Sequence, residues 1–130
     1  MRMKNFDIYK NALRLLAQSV DEDENADLAE RAPYFIAAFC CEAAELDRAA
    51  RLVLGIEGPE EFNEVCLALD EDFPLLPRFA TVAAKYLAAM LVIEEDGDLS
   101  DKLYAMYCDG MSLIKEGLPA LIEKIVHKKP

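Results

Sequence analysis

The run from Phe79 to Ile93 is apolar on nearly every side of a helix, and its only charged residue is Lys85. A surface helix in a small protein needs one apolar stripe, not several. This segment is therefore either the central helix of the domain or a helix whose second face is covered by another subunit. It is too short to span a bilayer. It stops at Glu94-Glu95-Asp96-Gly97-Asp98, and a second helical pattern then returns through Leu103, Met106, Tyr107 and Ile114. Residues 73–115 read as one helical hairpin turning at Asp96-Gly97.

The spacing elsewhere is also helical. Phe6, Tyr9, Leu13, Leu16 and Val20 recur at three and four, which predicts a first helix over 6–20, ended by the acidic run 21–24. A short turn over 26–31 precedes Pro33, which disfavours helix at Ala32 and suits the first position of a new one. The second helix runs over 33–54 with Ile36, Phe39, Ala43, Leu46, Ala50 and Val53 inward, and Gly55 stops it. Its opposite side carries Tyr34, Ala38, Cys41, Glu45, Arg48 and Leu52, with Glu45 and Arg48 spaced as an ion pair. A third helix is expected over 59–69 with Phe62, Val65, Cys66 and Leu69 inward, then an extended connector over 70–77.

The fourth helix covers 77–95. One side holds Phe79, Val82, Tyr86, Met90 and Ile93; the back holds Ala84, Ala88, Leu91 and Val92, small enough for another helix to come close. In the fifth, Ser100 is placed as the cap, and Gly110 within the apolar arc signals tight helix contact, since it costs ~1 kcal/mol against alanine. Gly117 and Pro119 are expected to break or kink the chain, and residues 127–130 to form a frayed basic tail. The expectation is one all-α domain over 1–130, a bundle of about five helices around the apolar hairpin.

Composition agrees with helix and narrows the partners. Alanine, leucine and glutamate dominate, with only five glycines. A formal charge of −11, clustered at 21–24, 70–72 and 94–98, repels phosphate backbones and anionic lipid. Neither nucleic acid nor membrane is expected as a partner; a basic protein patch is the electrostatic complement, although such clusters also serve as solvated loops. Cys40, Cys41, Cys66 and Cys108 form no C-x-x-C pair, and adjacent Cys40 and Cys41 suit a disulfide poorly. With no secretory signal visible at Met1-Arg2-Met3-Lys4, reduced thiols in a cytoplasm are expected.

Candidate chemistry is thin. Asp21-x-Asp23-x-Asn25 begins like a calcium loop, but Ala26 and Ala32 occupy the glycine and bidentate glutamate positions; Asp96-x-Asp98-x-Ser100 fails at Asp101 and Tyr107. One histidine, His127, cannot supply a di-iron bundle. Cys40 and Cys41 have no base nearby. No catalytic residue, cofactor site or metal site is assigned. Tyr104 and Tyr107 lie one turn apart with Tyr86 facing them, suited to core packing or to an interface.

The blocks Leu69-Asp70-Glu71-Asp72-Phe73-Pro74-Leu75, Ala83-Ala84-Lys85-Tyr86-Leu87-Ala88-Ala89-Met90-Leu91, Glu94-Glu95-Asp96 and Leu103-Tyr104-Ala105-Met106-Tyr107 resemble the small helical head–tail connector (adaptor) proteins of tailed phages and prophages. Arg31-Ala32-Pro33-Tyr34-Phe35-Ile36 through Glu42 and Glu45 resembles their earlier helix. The resemblance covers roughly Ala32 to Ile114 and lies in helix order and pattern. It implies a non-enzymatic subunit that forms a ring, docks beneath the portal and presents a surface to the next tail component. It carries no residue-level site.

Helices apolar on more than one face suggest self-association, with Tyr34, Ala84, Ala88, Leu91, Tyr104 and Tyr107 as the candidate interface of a homo-oligomer, and a compact monomer with a well-filled core fits nearly as well. Two alternatives stand beside this. One is an acidic helical binding module, of immunity, inhibitor or adaptor type, capping a basic partner. The other, an enzyme or small-molecule binder, requires a deep pocket lined by Tyr34, Tyr86, Tyr104 or Cys41.

Overall fold

The computed structural model describes residues 2–18, 22–58 and 62–128. Four helices make the fold: α1 (Asn5–Leu15), α2 (Glu22–Leu54), α3 (Ala80–Val92) and α4 (Gly97–Lys128). A single 3₁₀ turn, Pro77–Phe79, leads into α3. The architecture is an all-α bundle. Among the described residues no strand occurs, only one isolated antiparallel bridge between Lys4 and Asp72.

α3 is the centre. It packs against α1, α2 and α4 of the same chain. Leu87, Ala88 and Ala89 are fully buried, and Ala83 and Leu91 nearly so. Burying one leucine side chain of this kind contributes roughly 1.5–3 kcal/mol. The small residues let the other helices approach closely. At Gly110 of α4 a Cβ would strike Val82 Cγ1 of α3, so the glycine marks a tight crossing as its place in the apolar arc predicts. Thr81 stays exposed and Lys85 half-buried, one turn apart on the stripe of α3 that remains open.

α1 is held at its start by a distant segment. The first backbone donors of a helix have no partner within it. Here Asn5 N–H donates to Glu71 O at 2.9 Å and Phe6 N–H to Leu69 O at 2.8 Å. Asn5 is fully buried, and its Nδ2 donates to Ala68 O at 2.9 Å. Asp7 reaches back to accept from Lys4 N–H at 2.9 Å, which is half of a capping box. The helix ends at Leu15, five residues before the expected Val20. Ala17 adopts φ 56°. The N–H groups of Ala17 and Gln18 then fold back onto Arg14 O and Leu13 O. This is a Schellman closure with alanine in the position that favours glycine. Val20 and Asp21 lie outside the described residues, and Glu22 to Glu24 open α2 instead of ending α1.

α2 joins two segments the spacing separates. It passes through Pro33 without ending, and its only non-helical backbone is at Asn25 (φ −118°, ψ 21°). Ala32, Ile36 and Ala37 are buried on either side of the proline, so packing carries the helix past the lost donor and the strained preceding residue. Its inward stripe is as expected: Ile36, Phe39, Ala43 and Ala50 are buried. Gly55 at φ 70° closes it, with Ile56 N–H to Arg51 O at 2.9 Å and Gly55 N–H to Leu52 O at 3.3 Å.

The helix expected over 59–69 is absent where the chain is described: residues 62–68 are irregular. The intended inward residues Val65 and Cys66 face solvent, Val65 with 79% of its surface exposed. The backbone there is committed elsewhere. Leu67 N–H donates to Pro33 O at 3.1 Å, Ala68 N–H to Glu71 Oε1 at 3.2 Å, and Ala68 O accepts from Asn5. The connector after it is core, since Phe73, Leu75 and Leu76 are buried. Among the described residues the bundle therefore has four α-helices, where the spacing predicts about five.

α4 also departs from expectation. Asp96, not Ser100, caps it, its Oδ1 accepting from Leu99 N–H at 3.0 Å. Ser100 sits inside the helix, buried, donating to Ala89 O at 2.9 Å. The helix runs on through Gly117 and Pro119 to Lys128. Leu118, between the two, is buried against the core. The end expected to fray is helical in its backbone through Lys128; residues 129–130 lie outside the described residues.

Candidate functional site

Three places on the molecule gather polar chemistry. The most buried is Asp47 of α2. It is 1% exposed, with Oδ2 accepting from Arg51 Nε at 2.8 Å and Oδ1 from Leu76 N–H at 2.8 Å. Arg51 Nη1 donates to Glu57 O at 3.0 Å and Nη2 to Pro74 O at 3.0 Å. One ion pair thus ties the end of α2 to the turn after it and to the connector entering α3. A cleft of about 500 Å³ lies alongside, lined by Arg2, Arg51, Gly58, Asp72 and Pro74 among others. Arg51 turns its donors inward to these protein acceptors, which makes it a clamp rather than a ligand-binding group. The exposed pair expected on α2, Glu45 and Arg48, is not the one that organises this turn.

The second place is an aromatic junction of α2, α3 and α4. Phe39 lies 6.0 Å from both Tyr86 and Tyr107, and Tyr86 meets Tyr107 edge-on at 5.2 Å. Tyr104 lies 5.3 Å from Tyr107. Such pairs contribute ~0.5–1.5 kcal/mol each beyond burial. Tyr107 O–H donates to Glu42 Oε2 at 3.4 Å. Burial, and then the Glu42 carboxylate, push the phenols of Tyr86 and Tyr107 above their usual range. Phe39, Tyr86 and Tyr107 are buried here, so the junction holds the three helices together.

The third place is a groove between α1 and α3, a cavity of about 320 Å³ lined by Asn11, Arg14, Leu15, Thr81, Ala84 and Lys85. Asn11, Arg14 and Leu15 share one side of α1 at spacings of three and four. Thr81 and Lys85 are the open stripe of α3, and Ala84 is the floor between them. Leu15 is 39% exposed. The lining holds two cations and no acid, in a chain with 25 acidic and 14 basic residues. Arg14 Nη1 donates to Asn11 Oδ1 at 3.2 Å. Neither Arg14 nor Lys85 meets an acidic side chain among the described residues.

The expected interface residues separate in three dimensions. Ala88 and Leu91 are interior, with 0% and 2% of their surfaces exposed, covered by helices of the same chain. The partner for the small back of α3 is therefore intramolecular, a correction to the reading that a neighbouring subunit covers it. Tyr107 is buried at the aromatic junction. Ala84 belongs to the floor of the groove. Tyr34 and Tyr104 are exposed, at 58% and 41%. Neither cleft described above is lined by Tyr34, Tyr86, Tyr104 or Cys41. Cys40 is buried, and desolvation pushes its thiol up, away from reactivity.

Sequence reasoning missed Asp47 and the groove. Asp47 lies four residues before Arg51 and between buried Ala43 and Ala50, a signal that an inward acid needs an inward partner. The groove joins segments about 70 residues apart and left no local trace except Lys85 within the apolar run. Among the described residues no group of three or more His, Cys, Asp or Glu side chains could hold a metal ion, and no helix is long and apolar enough to cross a membrane. No family model, curated protein or solved structure matches this chain.

Proposed function

We propose that this chain is a non-enzymatic assembly protein that works through self-association and protein–protein contacts. The particle it would serve is the phage or prophage head–tail junction that its helix pattern resembles. The observation that supports assembly is the α1–α3 groove: an apolar floor with Arg14 and Lys85 on its rim, on a molecule of net charge −11. Cations without acidic partners beside exposed Leu15 favour an apolar, acidic protein surface. This protein carries such surfaces itself. Mass by light scattering across a concentration series tests the reading. It predicts species above the monomer; a monomer throughout, together with no captured protein partner, removes it.

The acidic-module alternative keeps one specific observation in its favour. Residues 94–98, between α3 and α4, are all exposed and include Glu94, Glu95, Asp96 and Asp98. That reading predicts a basic partner whose binding weakens with salt and is lost when these residues are neutralised.

A further inference from the structure

We propose that the groove between α1 and α3 receives a second copy of this chain, through Ile93 and the acidic turn that follows it. The inference rests on the assembly reading and names the two surfaces that meet. The groove offers an apolar floor at Ala84 and Leu15 and two cations, Arg14 and Lys85. The turn offers the converse. Ile93 stands 51% exposed at the end of α3, and Glu94 and Glu95 follow it directly.

The turn is built to hold that shape. Glu95 N–H and Asp96 N–H both donate to Val92 O, at 3.0 and 2.9 Å. Asp96 is committed to capping α4. The carboxylates of Glu94 and Glu95 make no hydrogen bond or ion pair among the described residues. Two carboxylates that directly follow one exposed apolar side chain thus match two cations without acidic partners beside an apolar floor. An exposed isoleucine alone needs no explanation; the charge match beside it is what selects this partner. A second copy is the occupant, because the complementary surface belongs to this chain.

Groove and turn are different patches, so the contact is head to tail. Repeated, it closes into a ring or continues as a filament, unlike a two-fold dimer that saturates after one pairing. Because the charges sit at the rim, the contact is modest in strength and weakens as salt rises.

Charge reversal in the full chain tests this, read by sedimentation velocity with circular dichroism to confirm folding. Lys85→Glu and Glu94→Lys should each move association to at least tenfold higher concentration. An equimolar mixture of the two should restore it, because each reversed groove then faces a reversed turn. Arg14→Glu, exposed on α1, gives the same readout should Lys85→Glu fail to fold. Reversed chains that associate like the wild type, or folded variants that do not complement in the mixture, overturn the proposed contact while wild-type assembly stands. A wild-type chain that stays monomeric overturns the contact, and where it also captures no protein partner it removes the assembly reading as well.

Discussion

Gly110 of α4 sits so close to Val82 of α3 that a methyl group on the glycine would collide with Val82 Cγ1. Gly110→Ala adds helix propensity of ~1 kcal/mol but overpacks a crossing, which costs roughly 1–3 kcal/mol. The net expectation is a lower urea midpoint, with Val82→Ala in the same chain recovering part of the loss. A higher midpoint for Gly110→Ala alone would show that the crossing is loose.

Asp47→Ala leaves Arg51 without its carboxylate and Leu76 N–H without an acceptor. The expected loss is about 3 kcal/mol in chemical denaturation. Asp47→Asn should cost less, since an amide oxygen still accepts from Leu76 N–H. Equal losses for the two variants would mean that the charge, and not the bond to the connector, carries the stabilisation.

Ala17 holds φ 56° at the end of α1. A non-glycine residue there costs roughly 1–2 kcal/mol, offset in part by the greater freedom of glycine in the unfolded chain. Ala17→Gly should stabilise by about 0.5–1 kcal/mol. Calorimetry that shows no gain would place the end of α1 elsewhere.

Tyr9, Tyr86 and Tyr107 have their phenols pushed up, first by burial, then for Tyr86 and Tyr107 by the Glu42 carboxylate. Their protonated state favours the fold. That stability is fully present below pH 10.0, the ordinary phenol value, and falls as pH rises beyond it, because the unfolded chain releases protons first. Phenolate absorbance should therefore complete only with alkaline unfolding. Titration of all five tyrosines near pH 10 in a chain that stays folded would contradict the packed junction.

The parts of this fold that the sequence exposes are those decided locally. The inward faces of α2 and α3, the stop at Gly55 and the tight contact at Gly110 follow from periodicity and from glycine. What it hides was decided by distant partners. Residues 62–68 follow a helical pattern, yet their backbone groups bond to Asn5, Pro33 and Glu71 instead. Pro33 and Pro119 look like breaks, yet the helices run through both, at Pro33 because its neighbours Ala32, Ile36 and Ala37 are buried. The apolar excess of α3 is met by three helices of its own chain, which moves the question of assembly to a groove that only the folded molecule displays.

Sedimentation velocity of the wild-type chain over a wide concentration range, at low and at high salt, tests the account most directly. The account predicts species heavier than the 14.5 kDa monomer that grow with concentration and recede with salt. A single 14.5 kDa species at every concentration and salt would contradict it.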